Sequence, residues 1–208
     1  MQYIGNDLVA FSELKFFNRP GYKEKAFTPA EICMEQVHNC DCYYGVLWSC
    51  KESAYKAFVK SGFRKSFASG MYEVKLQSEK KENSFTGTVN YKNSIFYTKS
   101  EIIKDKYIHT LASNSPEGLE TALHDVKYIP ENSYEFQNTA AIGLLKEHLV
   151  KYFQIKISDI DIHYDHLQKY PMVYFDSGKK HIDVSLSHDG NFVSYGIIIT
   201  DKTDKTFQ

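Results

Sequence analysis

The sequence predicts an α+β protein built in two halves. Three observations carry that expectation. A period-two region runs from Tyr72 to about Ala112, an amphipathic helix lies on each side of it, and a second group of strands closes the chain. The stretch Ser113–Ser133, with two prolines and no sustained period, separates 1–115 from 135–208 and reads as a connection over 116–134, with local structure of its own at most.

In chain order, Gln2–Phe11 reads as a short buried strand that ends near Asp7 and turns into a helix. Thr28-Pro29-Ala30-Glu31 carries a helix start: a threonine cap, proline at the first helical position and an acid in the first turn. That helix is expected to run to about His38. The next helix, Tyr44 to Lys60, places Val46, Leu47, Cys50, Ala54, Ala57 and Phe58 on one face at about 100° per residue and closes at Gly62. Trp48, Glu52 and Lys56 fall on the opposite side, one turn apart. Four strands with Lys/Glu/Asn-rich turns follow, then a helix over Thr139–Phe153 with Ile142, Leu145, Leu149 and Phe153 in one stripe. The segments IDIHY and MVYF read as strands, and the chain closes in a hairpin turning at Asp189-Gly190-Asn191.

Composition bounds the function. At 208 residues the chain has room for one sizeable core or two small ones, and 42% apolar with 25% charged residues is ordinary for a globular protein. A net charge of −1 gives no global attraction to nucleic acid or anionic lipid, so any phosphate site must be local. No apolar run approaches the roughly 20 residues of a membrane span, and the charged N-terminus lacks a signal-peptide core; a cytoplasmic protein is expected. The four cysteines, Cys33, Cys40, Cys42 and Cys50, lie in the first quarter of the chain near His38. They form no C-x-x-C pair, so reduced structural cysteines are expected rather than a zinc site.

The residues that suggest chemistry are carboxylates and lysines. A hard cation between phosphate oxygens takes one or two protein carboxylates, and Asp7 at a strand end with Glu52 on the off-core face of a helix would suit it. Taken alone, Glu52 and Lys56 are an i,i+4 pair of the kind that decorates any exposed helix, and a lone aspartate after a strand is commonly a turn residue.

Together they form a pattern. Trp48–Lys56, WSCKESAYK, resembles the signature helix of the 4′-phosphopantetheinyl transferases. Ile4–Val9, IGNDLV, is similar to the aspartate motif that precedes it in that superfamily, and Val184–Gly190, VSLSHDG, to its serine-histidine strand. Phe27–Glu31, FTPAE, resembles the segment between the first two motifs in the short holo-carrier-protein synthases.

The resemblance implies transfer of the 4′-phosphopantetheine arm of coenzyme A to a serine of an apo acyl or peptidyl carrier protein, dependent on Mg²⁺. It implies that Asp7 and Glu52 hold the metal, that Lys51 and Lys56 lie near the diphosphate, and that Lys56 or Glu52 helps deprotonate the serine. Ser187 and His188 match the pair that contacts the nucleotide end of coenzyme A. Lys169, in Lys169-Tyr170-Pro171, stands one residue early relative to a phosphate-contacting lysine of the long form. Val9 occupies the place of that form's third acid, as in the short form, and Asn6 replaces an apolar residue or threonine.

The motif order is that of the short, trimeric form, whereas the length is that of the long form, a pseudo-dimer of two such halves. Residues 1–115 resemble the long form's second half and Ala140–Gly196 its first. The implied fold is a permuted pseudo-dimer with coenzyme A between halves in a monomer. Lys15, Arg19, Lys23 and Lys25 form a positive stretch for an acidic carrier or the 3′-phosphate, or else a solvated helix face. A non-catalytic module that binds coenzyme A or a carrier on the same fold is the alternative.

Overall fold

The computed structural model describes residues 1–38, 41–62, 66–78, 83–165, 167, 170–176 and 182–200. It is a mixed α+β structure with β1 (Ile4–Ala10), a 3₁₀ segment (Phe11–Asn18), α1 (Tyr22–Ala26), α2 (Pro29–Cys33), α3 (Glu35–His38) and α4 (Tyr43–Lys60). The strands β2 (Glu73–Ser78), β3 (Ser84–Tyr91), β4 (Ser94–Ile103) and β5 (Tyr107–Ser113) follow, then α5 (Pro116–Thr121), β6 (Leu123–Tyr128) and α6 (Tyr134–Phe153). The described chain ends with β7 (Ile160–Tyr164), β8 (Pro171–Phe175), β9 (Ile182–Asp189) and β10 (Phe192–Ile199). No helix among the described residues is long and apolar enough to cross a membrane.

The first five strands make an antiparallel sheet in the order β1-β5-β4-β3-β2, and α4 packs across β1 and β5. All six residues expected on the core face of α4 are buried. The helix lies directly on β1 because Gly5 has no side chain: a Cβ there would stand 1.8 Å from the Ser53 carbonyl oxygen. Ser49 Oγ donates to the Asp7 carbonyl and Ser53 Oγ to the Thr110 carbonyl, so small polar residues finish the contact.

The second sheet is antiparallel in the order β6-β10-β9, with β7 and β8 paired beside it. Leu145 and Leu149 of α6 pack with Val184, Val193, Tyr195 and Ile197 in its core. The hairpin turns at Gly190, whose φ of +53° suits a residue without Cβ.

The sheets meet where β1 lies beside β9. Side chains, not backbone, join them. The N–H groups of Ile4, Asn6, Leu8 and Ala10 donate to Asp183 Oδ2 (2.5 Å), Ser185 Oγ (3.0 Å), Ser187 Oγ (3.2 Å) and Asp189 Oδ2 (2.8 Å). The sequence offset is 179 at every rung, so the two strands run alongside in the same direction. Lys60, buried at the end of α4, adds a clamp: its Nζ donates to the Ile4 carbonyl (2.6 Å), to Asp183 Oδ2 (2.9 Å) and to the Val184 carbonyl.

Several expectations are corrected. β1 continues through Asp7 to Ala10 because α4, β5, β9 and β10 bury it along its whole length. The helix expected from Thr28 to His38 is two short ones, α2 and α3; the capping box between Thr28 and Glu31 is present. The stretch expected as a connection, with local structure of its own at most, contributes α5 and the edge strand β6, which pairs with β10. α6 begins at Tyr134 rather than Thr139; its first three residues are exposed and carry no core periodicity. Cys42 is disulfide-bonded, while Cys33 and Cys50 are free thiols. The expectation of reduced cysteines therefore fails at Cys42, having rested on an inferred compartment rather than on geometry. Cys40 and the tail after Thr200 lie outside the described residues.

His109 of β5 is enclosed between the sheets, beside Asn6 Nδ2 (3.4 Å) and the His124 ring (5.2 Å between centroids). Burial first, then the nearby His124 and Lys56 charges, push its pKa down to about 3. An unfolded histidine protonates near 6.5, so the folded state loses ground as pH falls from 6.5 towards 3 and is unaffected above 6.5. Urea unfolding is expected to show a loss from this residue of about 2 kcal/mol between pH 6.5 and pH 5. His109→Gln should flatten that part of the stability curve; an unchanged slope would mean that the imidazole is not held neutral.

Candidate functional site

Three elements, a strand from each of the two larger sheets and the helix α4, deliver their side chains to one place. Asp7 comes from the middle of β1, Glu52 and Lys56 from successive turns of α4, and Ser187 and His188 from the end of β9. Lys56 Nζ donates to Asp7 Oδ1 (2.9 Å), to the Asn6 carbonyl (2.9 Å) and to Ser187 Oγ (3.2 Å). Ser187 Oγ in turn donates to Asp7 Oδ1 (3.1 Å). Glu52 makes no hydrogen bond or ion pair among the described residues, although Asp7 is close enough to act on its charge.

The electrostatics follow from that crowding. Burial, then the negative charge of Asp7, pushes the Glu52 carboxyl up to about 7 against the pull of Lys56. Burial also raises Asp7, opposed by the Lys56 charge and by hydrogen bonds from Lys56, Ser187 and the Leu8 N–H. His188 is lowered, by burial and then by the Lys56 charge, with Asp7 opposing. Asp189 is pushed up to about 6, chiefly by burial.

Two adjoining clefts share Asp7 and His188. One, of about 330 Å³, has Lys56 and Lys60 on its floor and Tyr134, Tyr164 and Tyr170 on its walls. The other, of about 440 Å³, is lined by Glu52, Trp48, Tyr22, Phe16, Arg19 and Asp189, with Asp7 and His188 at its inner end. Tyr134 packs edge-on against the His188 ring at 5.6 Å, so the unpredicted first turn of α6 helps hold the histidine.

Compared with family models, with curated proteins and with solved structures, the chain matches none.

Of the residues singled out in the sequence, Asp7, Glu52, Lys56, Ser187 and His188 come together. Lys51 does not. Its side chain is fully buried on another face of α4, where Nζ donates to Glu31 Oε2 (2.7 Å) and to the Ala26 and Ser69 carbonyls (3.0 Å each). Fully buried and lining neither cleft, this ammonium is out of reach of a diphosphate there. Lys169 lies outside the described residues. Lys60 was not among the sequence candidates, yet it belongs to the stripe of Glu52 and Lys56, one turn further on. That spacing was the available signal.

The donor set was tested for a hard cation. Two carboxylates, Asp7 with one oxygen tied and Glu52 with none tied among the described residues, face a cleft, and the Asp7 charge raises the proton affinity of Glu52. A divalent cation would relieve that repulsion, and oxygen ligands are those Mg²⁺ prefers. The residues fit. Among the described residues no group of three or more His, Cys, Asp or Glu could hold a metal, so substrate oxygens and water would complete the sphere of such an ion.

Proposed function

We propose that this protein transfers the 4′-phosphopantetheine group of coenzyme A to a serine of an apo carrier protein, with Mg²⁺ between Asp7 and Glu52. The observation that carries the reading is the convergence of Asp7, Glu52, Lys56 and His188, from both sheets, on the junction of two clefts. The motifs that resemble the transferases are far apart in sequence, and their polar residues meet here. The same arrangement supports the permuted two-half fold, with the site at the boundary between halves.

The division of the clefts assigns roles. Lys56 lines only the aromatic-walled cleft and Glu52 only the other, with Asp7 and His188 between. Lys56 Nζ is anchored by the Asn6 carbonyl, Asp7 Oδ1 and Ser187 Oγ. It supplies positive charge beside the diphosphate. Glu52, a carboxylate with no hydrogen bond or ion pair among the described residues, is the group left to accept the serine proton directly or through a water. The serine oxygen attacks the β-phosphorus, the bond to the bridging oxygen breaks, and 3′,5′-ADP leaves with the electron pair while Glu52 takes the proton. A bound Mg²⁺ would supply charge stabilisation for the diphosphate oxygens. The remaining rate comes from holding donor and acceptor in line between the halves.

Incubation with coenzyme A, Mg²⁺ and a panel of apo carriers tests this. Intact-mass measurement is expected to show one phosphopantetheine group added to at least one carrier. Coenzyme A binding without any mass gain would instead identify a non-catalytic binding module.

A further inference from the structure

Resting on the proposed metal reading of Asp7 and Glu52, we infer that Ser187 is a positioning residue: its hydroxyl, delivered across the junction from β9, fixes the Asp7 carboxylate for a divalent cation and does not contact the nucleotide of the donor. This differs from the role that the sequence resemblance implies for it.

The capacity of the hydroxyl is the first argument. A serine Oγ donates one hydrogen bond and accepts two. Ser187 donates to Asp7 Oδ1 (3.1 Å) and accepts from the Leu8 N–H and from Lys56 Nζ, each at 3.2 Å. It is 5% exposed. Every bond it can make is already made within the protein.

The second argument is register. Ser187 is one rung of the ladder in which Asp183, Ser185, Ser187 and Asp189 take the free N–H groups of β1. Ser187 lines the aromatic-walled cleft beside Asp7 and Lys56, but turning its hydroxyl towards a ligand there would break its bonds to the Leu8 N–H, Lys56 and Asp7. The ladder therefore holds the hydroxyl against Asp7. His188, the next residue, lines both clefts.

The chemical consequence falls on Asp7. With Oδ1 held by Lys56 and Ser187 from two directions, the carboxylate is fixed in orientation, and Oδ2 is the oxygen that neither of them takes. Outer hydrogen bonds of this kind typically set metal affinity by about 10- to 100-fold.

The test measures Mn²⁺ binding by electron paramagnetic resonance and coenzyme A binding by calorimetry in EDTA, for the intact protein and its Ser187→Ala and Ser187→Thr variants. For Ser187→Ala the expected result is at least about a ten-fold loss of Mn²⁺ affinity with coenzyme A affinity in EDTA held within about two-fold. Ser187→Thr, which keeps the hydroxyl, should restore the Mn²⁺ affinity. Equal Mn²⁺ binding by Ser187→Ala and the unaltered protein would overturn the inference, as would a ten-fold loss of coenzyme A binding in EDTA. Should Ser187→Ala fail to fold, Ser187→Cys, of similar size and a weaker donor, is expected to show reduced Mn²⁺ affinity; unchanged affinity there overturns it equally. No Mn²⁺ binding by the unaltered protein removes both this inference and the metal reading. Mn²⁺ binding with the expected Ser187 dependence but no carrier transfer leaves the inference standing and removes only the transferase reading.

Discussion

Glu52→Gln is expected to lower carrier modification by about 10³-fold while leaving the protein folded and, above neutral pH, more stable than before. The amide keeps the shape of the side chain and removes the charge that would bind metal and accept the serine proton. Nothing in the fold depends on that charge: among the described residues the carboxylate has no hydrogen bond or ion pair, and it faces a cleft. The folded protein instead bears a cost for it. Burial and Asp7 hold the carboxyl at about 7, whereas an unfolded glutamate titrates near 4.5. The ionised form is thus disfavoured by folding at pH above 7, and that penalty fades as pH falls through 7 towards 4.5. Removing it should raise the unfolding free energy at pH 8 by about 1–3 kcal/mol and change nothing at pH 4.5. Paired measurements of transfer rate and urea unfolding at the two pH values check both halves. Retained activity would take Glu52 out of the chemistry; a destabilised variant at pH 8 would show that its carboxylate has a structural partner.

Much of the frame is legible in the sequence because burial there is one-sided and regular. The core face of α4, the four strands from Glu73 to Ser113 and the terminal hairpin all follow from simple periodicity. β6 was not legible, since an edge strand buries little: Asp125, Lys127 and Tyr128 are exposed, and no apolar alternation survives. The site divides in the same way. Asp7, Glu52 and His188 announce themselves by residue type beside recognisable motifs, but nothing local says that they meet. Their meeting depends on the β1–β9 ladder. Its sequence trace, short polar acceptors at every second position of Asp183–Asp189, resembles ordinary solvent-facing alternation. What marks it as a junction is that Ser185 and Ser187 are buried while their strand has a backbone partner on one edge only.

Lys51 is where motif reading and geometry part, and its replacement separates them. Lys51→Met should cost about 3–5 kcal/mol of stability, because it leaves a buried carboxylate without its counter-charge. Glu31 is 3% exposed and is a hub rather than a surface acid. Its Oε2 accepts from the Thr28 N–H (2.7 Å) and from Lys51 Nζ (2.7 Å), and its Oε1 from the Val74 N–H (2.7 Å). Through Lys51 the hub also reaches the Ala26 and Ser69 carbonyls (3.0 Å each), so one ion pair ties α1, α2, α4 and β2 together. Burial lowers the Lys51 pKa, and the charge and hydrogen bond of Glu31 are the largest effects opposing that shift. Neutralising both ends should be milder than neutralising one: the double variant Lys51→Met, Glu31→Gln is expected to recover about 1–3 kcal/mol relative to the sum of the single losses in a denaturation cycle. A lysine at the diphosphate predicts the reverse, a Lys51→Met protein of unaltered stability whose KM for coenzyme A rises about ten-fold. The buried pair leaves no donor for that outcome, so a change in KM without a change in unfolding would mean that the helix is rotated from the position it occupies on β1.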